Sequence, residues 1–449
     1  IFMLTIWKLS IALILIGTLL LIMLERIDKT LVAMTGAGLA LLVAIIPGSG
    51  NEEDVLIPDV EHLFELLELD LFLVIIGITL MIGTARETGL FEYIAVVVLK
   101  KSGYNQFFLL TALSFLTLIF SAVLGAFMAV LIVASVTLVS CESLDINPKP
   151  YIISEAIYGN LGGSMTRVAS PPNLIIGGHF DIDFITFLYL TGPYILCVSI
   201  ITLFMLFYIF KDELKKPISQ FFYKELLLID KQAIITEPKS FNIAATILIL
   251  TILGFAVSSF LPIRIELGYI AMTGGFAMVG FTNMEMNEAL STVKWSLVFF
   301  LIGLLILIGI SEKIGILEYL IEPIETIFEL DLFIGILSLL WLNAFTSAVL
   351  DNVAMASIMT SVMDQVVLDN PSMPFNPLLV SVVIGTNLGG NITPIGSAST
   401  IQAIEILEQS EKKEAKTSFL EFIKIGCLIT IFQLFFGSIY IGVIWLVSL

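Results

Sequence analysis

The chain has 449 residues, of which 58% are hydrophobic and only 13% are charged, and its formal net charge is −18 at pH 7. This composition is typical of a polytopic membrane protein and lies outside the range of soluble globular proteins. The acidic balance argues against nucleic acid as a partner, and the three cysteines and two histidines show no metal-ligand spacing. We therefore expect a multi-pass plasma-membrane protein in the lipid bilayer, no enzyme, with no cofactor other than a coupling ion.

Apolar runs of membrane-spanning length recur along the whole chain. In the first half they lie at 3–24, 30–47, 71–99, 106–141, 151–178 and 187–210. In the second half they lie at 240–261, 267–282, 295–321, 333–368, 376–407 and 418–447. The runs 106–141 and 333–368 exceed one ordinary span and contain Gly125 and Asp351 near their middles, which predicts two helices with a tight turn or a hairpin that enters and leaves by one face.

The chain repeats itself, and the repeat predicts its architecture. Asn160-Leu-Gly-Gly recurs as Asn387-Leu-Gly-Gly. Two further matches, 83–93 with 309–319 and 121–124 with 347–350, precede it in the same order in both halves and are separated by nearly the same number of residues. If the long run of each half is a hairpin that does not cross the membrane, the other five runs are spans. Because five is an odd number, the second half is expected to be inverted. The prediction is an all-α polytopic membrane protein of two inverted five-helix repeats, each with a re-entrant hairpin and a broken helix, giving about ten spanning helices and two hairpins.

The polar stretch 211–239 divides the halves, so we expect a first repeat over 1–210, a cytoplasmic linker over 211–239 and a second repeat over 240–449. Short loops rich in Lys and Arg lie on the cytoplasmic side of membrane proteins. This rule places Arg26, Lys29, Lys100, Lys101, the linker and Lys412, Lys413 and Lys416 inside. The stretches 48–70, 179–186 and 322–332, which have no Lys or Arg, are placed outside.

Both broken helices carry glycine, amide and hydroxyl residues inside apolar segments, which is tolerated at membrane depth only in a polar cavity or buried in protein. Asp351-Asn352 lies at the turn of the second long run, where an ionised carboxylate costs about 3 kcal/mol on insertion scales. Binding a cation would offset this cost; the alternative is an aspartate that caps the following helix. Oxygen donors nearby are expected from Asn387, Asn391 and Thr393 and from the carbonyls of Gly389 and Gly390, a set suited to Na⁺ or H⁺.

The first half departs from the second at this point. Gly125-Ala126 stands where the second half has Asp351-Asn352, and Arg167 stands where it has Pro394. An arginine at membrane depth needs a partner or an anion. We interpret Arg167 as a tethered cation that faces the turn at Gly125, replaces a lost ion site and attracts an anionic substrate group or pairs with Asp351. The alternative is a loop or snorkelling arginine that pairs with Glu155.

Ser170-Pro-Pro-Asn173 and Ser397-Ala-Ser-Thr400 follow the two breaks and restart helices, with prolines in a first helical turn in the first case. Free N–H groups at such helix starts favour an anionic or strongly polar ligand, although plain capping also explains these residues. The predicted substrate- and ion-binding residues are Asn160, Ser164, Thr166, Arg167, Ser170, Asn173, Asp351, Asn352, Asn387, Asn391, Thr393 and Ser397, with Asp351 and Asn352 as the candidates for Na⁺.

Through 162–174, 347–353 and 389–396 the chain resembles the ion transporter superfamily. The resemblance is to the branch of arsenite permeases, NhaD-type sodium–proton antiporters and the P protein, and more distantly to divalent-anion:sodium symporters. It implies a homodimer with a static scaffold domain and a mobile transport domain that carries the hairpins. Relatives commonly keep a polar pair at both hairpin tips and an acidic residue before Pro-Pro-Asn, where this chain has Gly125-Ala126 and Ser170.

The leading functional hypothesis is a secondary active transporter, a cation-coupled antiporter of elevator type that uses Na⁺ or H⁺, since Asp351 can be alternately protonated and metal-bound. One alternative is transport of a carboxylate or an inorganic oxyanion, arsenite-like substrates included, with Arg167 and the helix starts as binding groups. Another is a permease subunit driven by a separate ATPase, since this chain has no nucleotide-binding motif.

Overall fold

The computed structural model describes residues 2–24, 26–44, 66–67, 69–101, 103, 105–218, 231–263 and 265–448. In these ranges the protein is all-helical, with no β-strand. Most of the predicted outer stretch 48–70 and the middle of the predicted linker lie outside the described residues.

The described residues of the first half and of the start of the linker form α1 (Phe2–Leu24), α2 (Lys29–Ala44), α3 (Leu69–Glu87), α4 (Leu90–Lys101), α5 (Gln106–Leu124), α6 (Ala126–Ser143), α7 (Lys149–Gly163), α8 (Pro171–His179), α9 (Phe184–Ile209) and α10 (Lys211–Leu214). The second half holds α11 (Pro238–Ser258), α12 (Leu267–Thr282), α13 (Met286–Thr292), α14 (Trp295–Lys313), α15 (Glu318–Leu330), α16 (Leu332–Ser347), α17 (Asn352–Asp369), α18 (Phe375–Gly389), α19 (Ala398–Glu408) and α20 (Phe419–Ser448).

Seven of the described helices are long and apolar enough to cross a membrane, namely α3, α5, α6, α9, α11, α14 and α20. The apolar helices α2, α12, α16 and α18 are shorter. The apolar runs of the sequence therefore become helices close to the predicted bounds, and the fold class of a polytopic all-helical membrane protein is confirmed. The inversion of the halves and the re-entrant nature of the helix pairs stay predictions.

Each predicted long run is a pair of packed helices with a sharp turn, α5 with α6 and α16 with α17. The first pair turns at Gly125, whose φ of 85° and ψ of 153° fall in a backbone region that is essentially reserved for glycine. The second pair turns at Ala348–Asp351, and Asp351 caps α17 by accepting a hydrogen bond from the Val353 N–H at 2.9 Å. The two turns, called the first tip and the second tip below, thus differ in backbone as well as in side chains.

The helices pack mainly within two groups. A frame group consists of α1–α3 and α11–α14, in which α3 packs on α12 and α14 packs on α2. A core group consists of α4–α10 and α15–α20, and it contains both helix pairs and both broken helices. The groups meet along fewer helices, chiefly α14 with α17 and α3 with α4 and α8.

The loops collect at two ends of the bundle. At one end, called the lysine-rich end, Lys412 pairs with Asp145 at 2.7 Å and Lys149 pairs with Glu421 at 3.0 Å. The hydrogen bond and charge of Lys412 lower the pKa of the Asp145 carboxyl. Asp70, in the first turn of α3, accepts a hydrogen bond from the Gly268 N–H at 2.7 Å. The structure thus joins the loop of Lys412, which the sequence assigned to the cytoplasmic side, to the loop that precedes α7.

Candidate functional site

The paired glycines of the duplicated motif pack the broken helices closely against the helix pairs. A Cβ on Gly162 would lie 2.3 Å from the backbone oxygen of Leu118, and a Cβ on Gly389 would lie 2.3 Å from that of Ala344. These are equivalent positions in the two halves. The first glycine of each pair is therefore required because only a residue without a side chain allows this approach of α7 to α5 and of α18 to α16.

Hydroxyl groups hold each break in place at equivalent positions. The Ser121 hydroxyl donates to the Gly159 carbonyl, and the Ser347 hydroxyl donates to the Thr386 carbonyl. Beyond each break, Thr166 donates to the Ala122 carbonyl at 2.7 Å, and Thr393 donates to the Ala348 carbonyl at 2.6 Å. Buried backbone groups near the breaks thereby gain partners within the protein, as their depth requires.

The two broken helices are joined by crossed amide contacts. Asn160 donates to the Ser397 hydroxyl at 2.9 Å, and in the mirrored contact the Ser170 hydroxyl donates to Asn387 at 3.0 Å. Asn387 also donates to the side-chain oxygen of Asn173 at 2.7 Å. Each asparagine of the duplicated motif thus reaches the helix start of the opposite half, so the starts of α8 and α19 lie close together.

A cavity of about 730 Å³ lies between the frame and core groups, at the two tips and the two helix starts. The frame supplies Asp28, Lys29 and Lys294 to its wall, together with apolar residues of α3. The core supplies the predicted site residues Asn160, Ser170, Asp351, Asn352, Asn387 and Ser397. The cavity is large enough for a small organic ion, since ligand pockets start at about 300 Å³.

At the second tip, Asp351 is paired with a residue that the sequence placed in a cytoplasmic loop. The Lys29 ammonium lies 2.7 Å from Asp351 Oδ2, while Oδ1 accepts the Val353 N–H. Asn352 accepts a hydrogen bond from the Ser347 hydroxyl at 2.6 Å. Asp351 is therefore a helix cap, as the alternative interpretation held, and it is also half of an ion pair between the frame and core groups.

At the first tip, the nearby cation is Lys294 of the frame group. Its ammonium lies 3.6 Å from the centroid of the Phe127 ring, within the range of a cation–π contact. In the described part of the chain Lys294 makes no ion pair. The cavity therefore contains an ammonium group that faces an aromatic ring, with no carboxylate bound to it.

Arg167 does not take the place that the sequence interpretation gave it. Its guanidinium donates to the Ile182 carbonyl at 3.0 Å and lies 3.6 Å from Asp70. It is absent from the described residues that line the cavity. Glu155 accepts from Thr137 at 2.6 Å instead of pairing with Arg167. The expectation that Arg167 faces the first tip is therefore corrected, because Asp70 supplies a counter-charge elsewhere.

The other predicted residues serve the breaks themselves. Ser164 donates to the Asn160 carbonyl at 2.9 Å, and Asn173 donates to the carbonyls of Gly163 and Thr166, both at 2.8 Å. Asn391 accepts from Asn160 at 2.9 Å. The Gly389 and Gly390 carbonyls, expected as ion ligands, accept hydrogen bonds from Ile392 and Thr400. Together with Thr166 and Thr393, these groups lie outside the described lining of the cavity.

Sequence reasoning missed Lys29 and Lys294 as site residues. Both lie beside polar loop residues at the start of an apolar run, so Lys29 was assigned only to the cytoplasmic side and Lys294 was not singled out. The signal in the sequence was the position of both lysines next to a membrane span. A lysine at such a position can pack its methylene groups on apolar surface and place its ammonium inside the helix bundle. Lys29 does so, with its ammonium 4.8 Å from the Phe300 ring centroid.

A polytopic helical fold with a cavity between two helix groups suits a membrane transporter, and comparison with known proteins shows this class. The family model described as citrate transporter, CitMHS, matches residues 19–372. The chain belongs to the CitMHS citrate transporter family.

Relatives and solved structures match over nearly the whole chain. A 46 kDa membrane protein of Mycobacterium leprae is 26% identical over 94% of this chain and 95% of its own length. The P protein of Mus musculus is 26% identical over 95% of this chain and 59% of its own length. The crystal structure of the Alcanivorax borkumensis YdaH transporter matches with a TM-score of 0.56 at 12% identity, covering 93% of this chain and 98% of that one. The last likeness concerns the fold alone.

Proposed function

We propose that this protein is a secondary transporter of a small carboxylate anion, coupled to Na⁺ or H⁺. The observation that carries the proposal is the convergence, in one cavity, of the starts of α8 and α19 with the Lys294 ammonium. Both helix starts carry partial positive charge, which favours a carboxylate. Pro171 and Pro172 at the start of α8 have no N–H, so the helix dipole contributes more there than hydrogen bonds do. The family model's description as citrate transporter supports the same substrate class.

This proposal prefers the anion alternative to the cation antiporter. The antiporter hypothesis depended on Asp351 as an acidic site for the transported cation. The same cavity also holds the Lys294 ammonium and two helix starts, which attract an anionic substrate rather than a transported cation. Asp351 keeps the role of coupling residue, because it lines the main cavity and also a second cavity of about 280 Å³ beside Arg26.

Transport would occur by movement of the core group against the frame group. The cavity lies between these groups, and Asp28, Lys29 and Lys294 line its frame side. The groups share fewer contacts with each other than within themselves, which suits a sliding or rocking boundary. A homodimer that pairs through the frame group is part of the proposal, and the mass of the detergent-solubilised protein tests it.

The test is uptake into proteoliposomes that contain the purified chain alone. Radiolabelled citrate and succinate are supplied with an inward Na⁺ gradient, an inward proton gradient or neither. We expect saturable uptake of a carboxylate that one of the gradients accelerates. Uptake by the chain alone would also make an ATPase unnecessary.

Two controls separate the alternatives. A pH-sensitive dye inside the vesicles reports sodium–proton exchange without any carboxylate, and labelled arsenite tests the oxyanion alternative. Exchange of Na⁺ for H⁺ with no carboxylate uptake would contradict the proposal and restore the antiporter hypothesis.

A further inference from the structure

The contact between Lys29 and Asp351 joins two parts of the molecule that pack separately. Lys29 begins α2 of the frame group and lies over the Phe300 ring of α14, in the same group. Asp351 caps α17 of the core group. The ion pair therefore forms only while the second tip lies at this position along the frame.

Both carboxylate oxygens of Asp351 are in use. Oδ1 accepts the Val353 N–H at 2.9 Å and Oδ2 accepts from Lys29 at 2.7 Å. A cation that binds this carboxylate must take the place of the Lys29 ammonium, because two positive charges at one oxygen repel each other. The pair is open to such exchange, since the side chains of Lys29 and Asp351 are 42% and 20% exposed.

We infer that Lys29 is a tethered competitor that expels the coupling cation from Asp351 when the second tip reaches Lys29 on the frame group. The affinity of Asp351 for its cation is then low at this position and higher wherever the tip has left Lys29. Because the lysine and arginine rule places Arg26 and Lys29 on the cytoplasmic side, the cation is released inward. Asp351 is neutralised again at once, so no bare carboxylate remains at membrane depth.

Among the described residues, the first tip has no equivalent ion pair between a carboxylate of the tip and a lysine of the frame group. Gly125-Ala126 offers no carboxylate, and Lys294 there lies over the Phe127 ring. The charged groups that line the two cavities with Asp351 are Arg26, Asp28, Lys29 and Lys294. Lys294 is therefore the matched control: it is a lysine of the same cavity that does not pair with Asp351.

The experiment measures cation binding to the purified protein without any carboxylate substrate. Its result is therefore independent of the proposed substrate class. The inference rests on the proposed cation coupling. Tryptophan fluorescence is the readout because Trp295 lies in the cavity wall. Na⁺ is titrated at fixed pH with choline balancing the ionic strength. Only a signal that Asp351→Asn abolishes is assigned to this site.

We expect Lys29→Gln to tighten Asp351-dependent Na⁺ binding about tenfold, because the carboxylate then has no tethered competitor. Lys29→Arg keeps the charge and should retain wild-type affinity, and Lys294→Gln should change the Na⁺ affinity far less. The inference is overturned if Lys29→Gln leaves the Na⁺ affinity unchanged, if Lys294→Gln changes it equally, or if Na⁺ gives no Asp351-dependent signal.

Discussion

The first and second tips have similar packing but different charge. Each is tied to its own broken helix by a serine and a threonine, and each is packed against a glycine that cannot carry a side chain. The second tip ends in a carboxylate bound to Lys29, whereas the first turns at a glycine-only backbone and meets Lys294 through an aromatic ring. The comparison teaches that the two halves share their packing but differ in charge: a carboxylate paired with a lysine lies at one tip, and a lysine over an aromatic ring lies at the other.

The largest effect should come from removing the charge at the second tip. Asp351→Asn keeps a helix cap, because asparagine is as good an N-cap as aspartate, but it leaves no carboxylate to hold a cation. Gradient-driven uptake in proteoliposomes should fall to background, with unchanged insertion and thermal stability. A variant with wild-type dependence on the ion gradient would show that Asp351 only caps the helix.

The next largest effect concerns the packing that both tips share. Gly162→Ala and Gly389→Ala each place a Cβ 2.3 Å from a backbone oxygen, so either change should destabilise the protein by about 1–3 kcal/mol and lower its melting temperature. Gly163→Ala is the matched control, because the nearest atom to its Cβ would be Ala126 Cβ at an ordinary 3.5 Å. Equal melting temperatures for Gly162→Ala and Gly163→Ala would contradict the close-packing role.

A moderate effect should come from Lys294 at the first tip. Lys294→Gln removes a charged contact to the substrate carboxylate, worth about 1.5 kcal/mol, and should raise KM for carboxylate uptake roughly tenfold. Lys101→Gln, at an exposed lysine of α4, is the control and should leave KM unchanged. An unchanged KM in Lys294→Gln would place the anion site elsewhere in the cavity.

The smallest effect should come from the serines that tie each tip to its broken helix. Ser121→Ala removes a buried hydrogen bond to the Gly159 carbonyl and should cost about 1 kcal/mol of stability, seen as a small fall in melting temperature. Ser347→Ala removes the equivalent bond to the Thr386 carbonyl and also the contact to Asn352, so its melting temperature should fall at least as far. A larger fall for Ser121→Ala than for Ser347→Ala would contradict this account.

Much of this fold could be predicted from sequence because its signals are local. Runs of apolar residues set the helices, and Gly125 and Asp351 marked the turns of both long runs. The duplicated Asn-Leu-Gly-Gly marked both breaks, although its glycines serve close packing more than ion coordination.

The charges of the site could not be assigned in this way, because each pairing joins distant parts of the chain. Lys29 and Asp351 are 322 residues apart, and nothing near either residue points to the other. Arg167 was misplaced for the same reason: its partner, Asp70, begins a helix of the frame group. Repeat alignment gave the position of each charge in the chain but not its counter-charge in the fold.

The most direct measurement is a cryo-EM structure of the protein in lipid nanodiscs with saturating citrate. We predict density for citrate in the cavity between the frame and core groups, with a carboxylate at the starts of α8 and α19 and another within hydrogen-bond distance of Lys294 Nζ. Citrate density outside this cavity, or an empty cavity at a concentration that saturates uptake, would contradict the central claim.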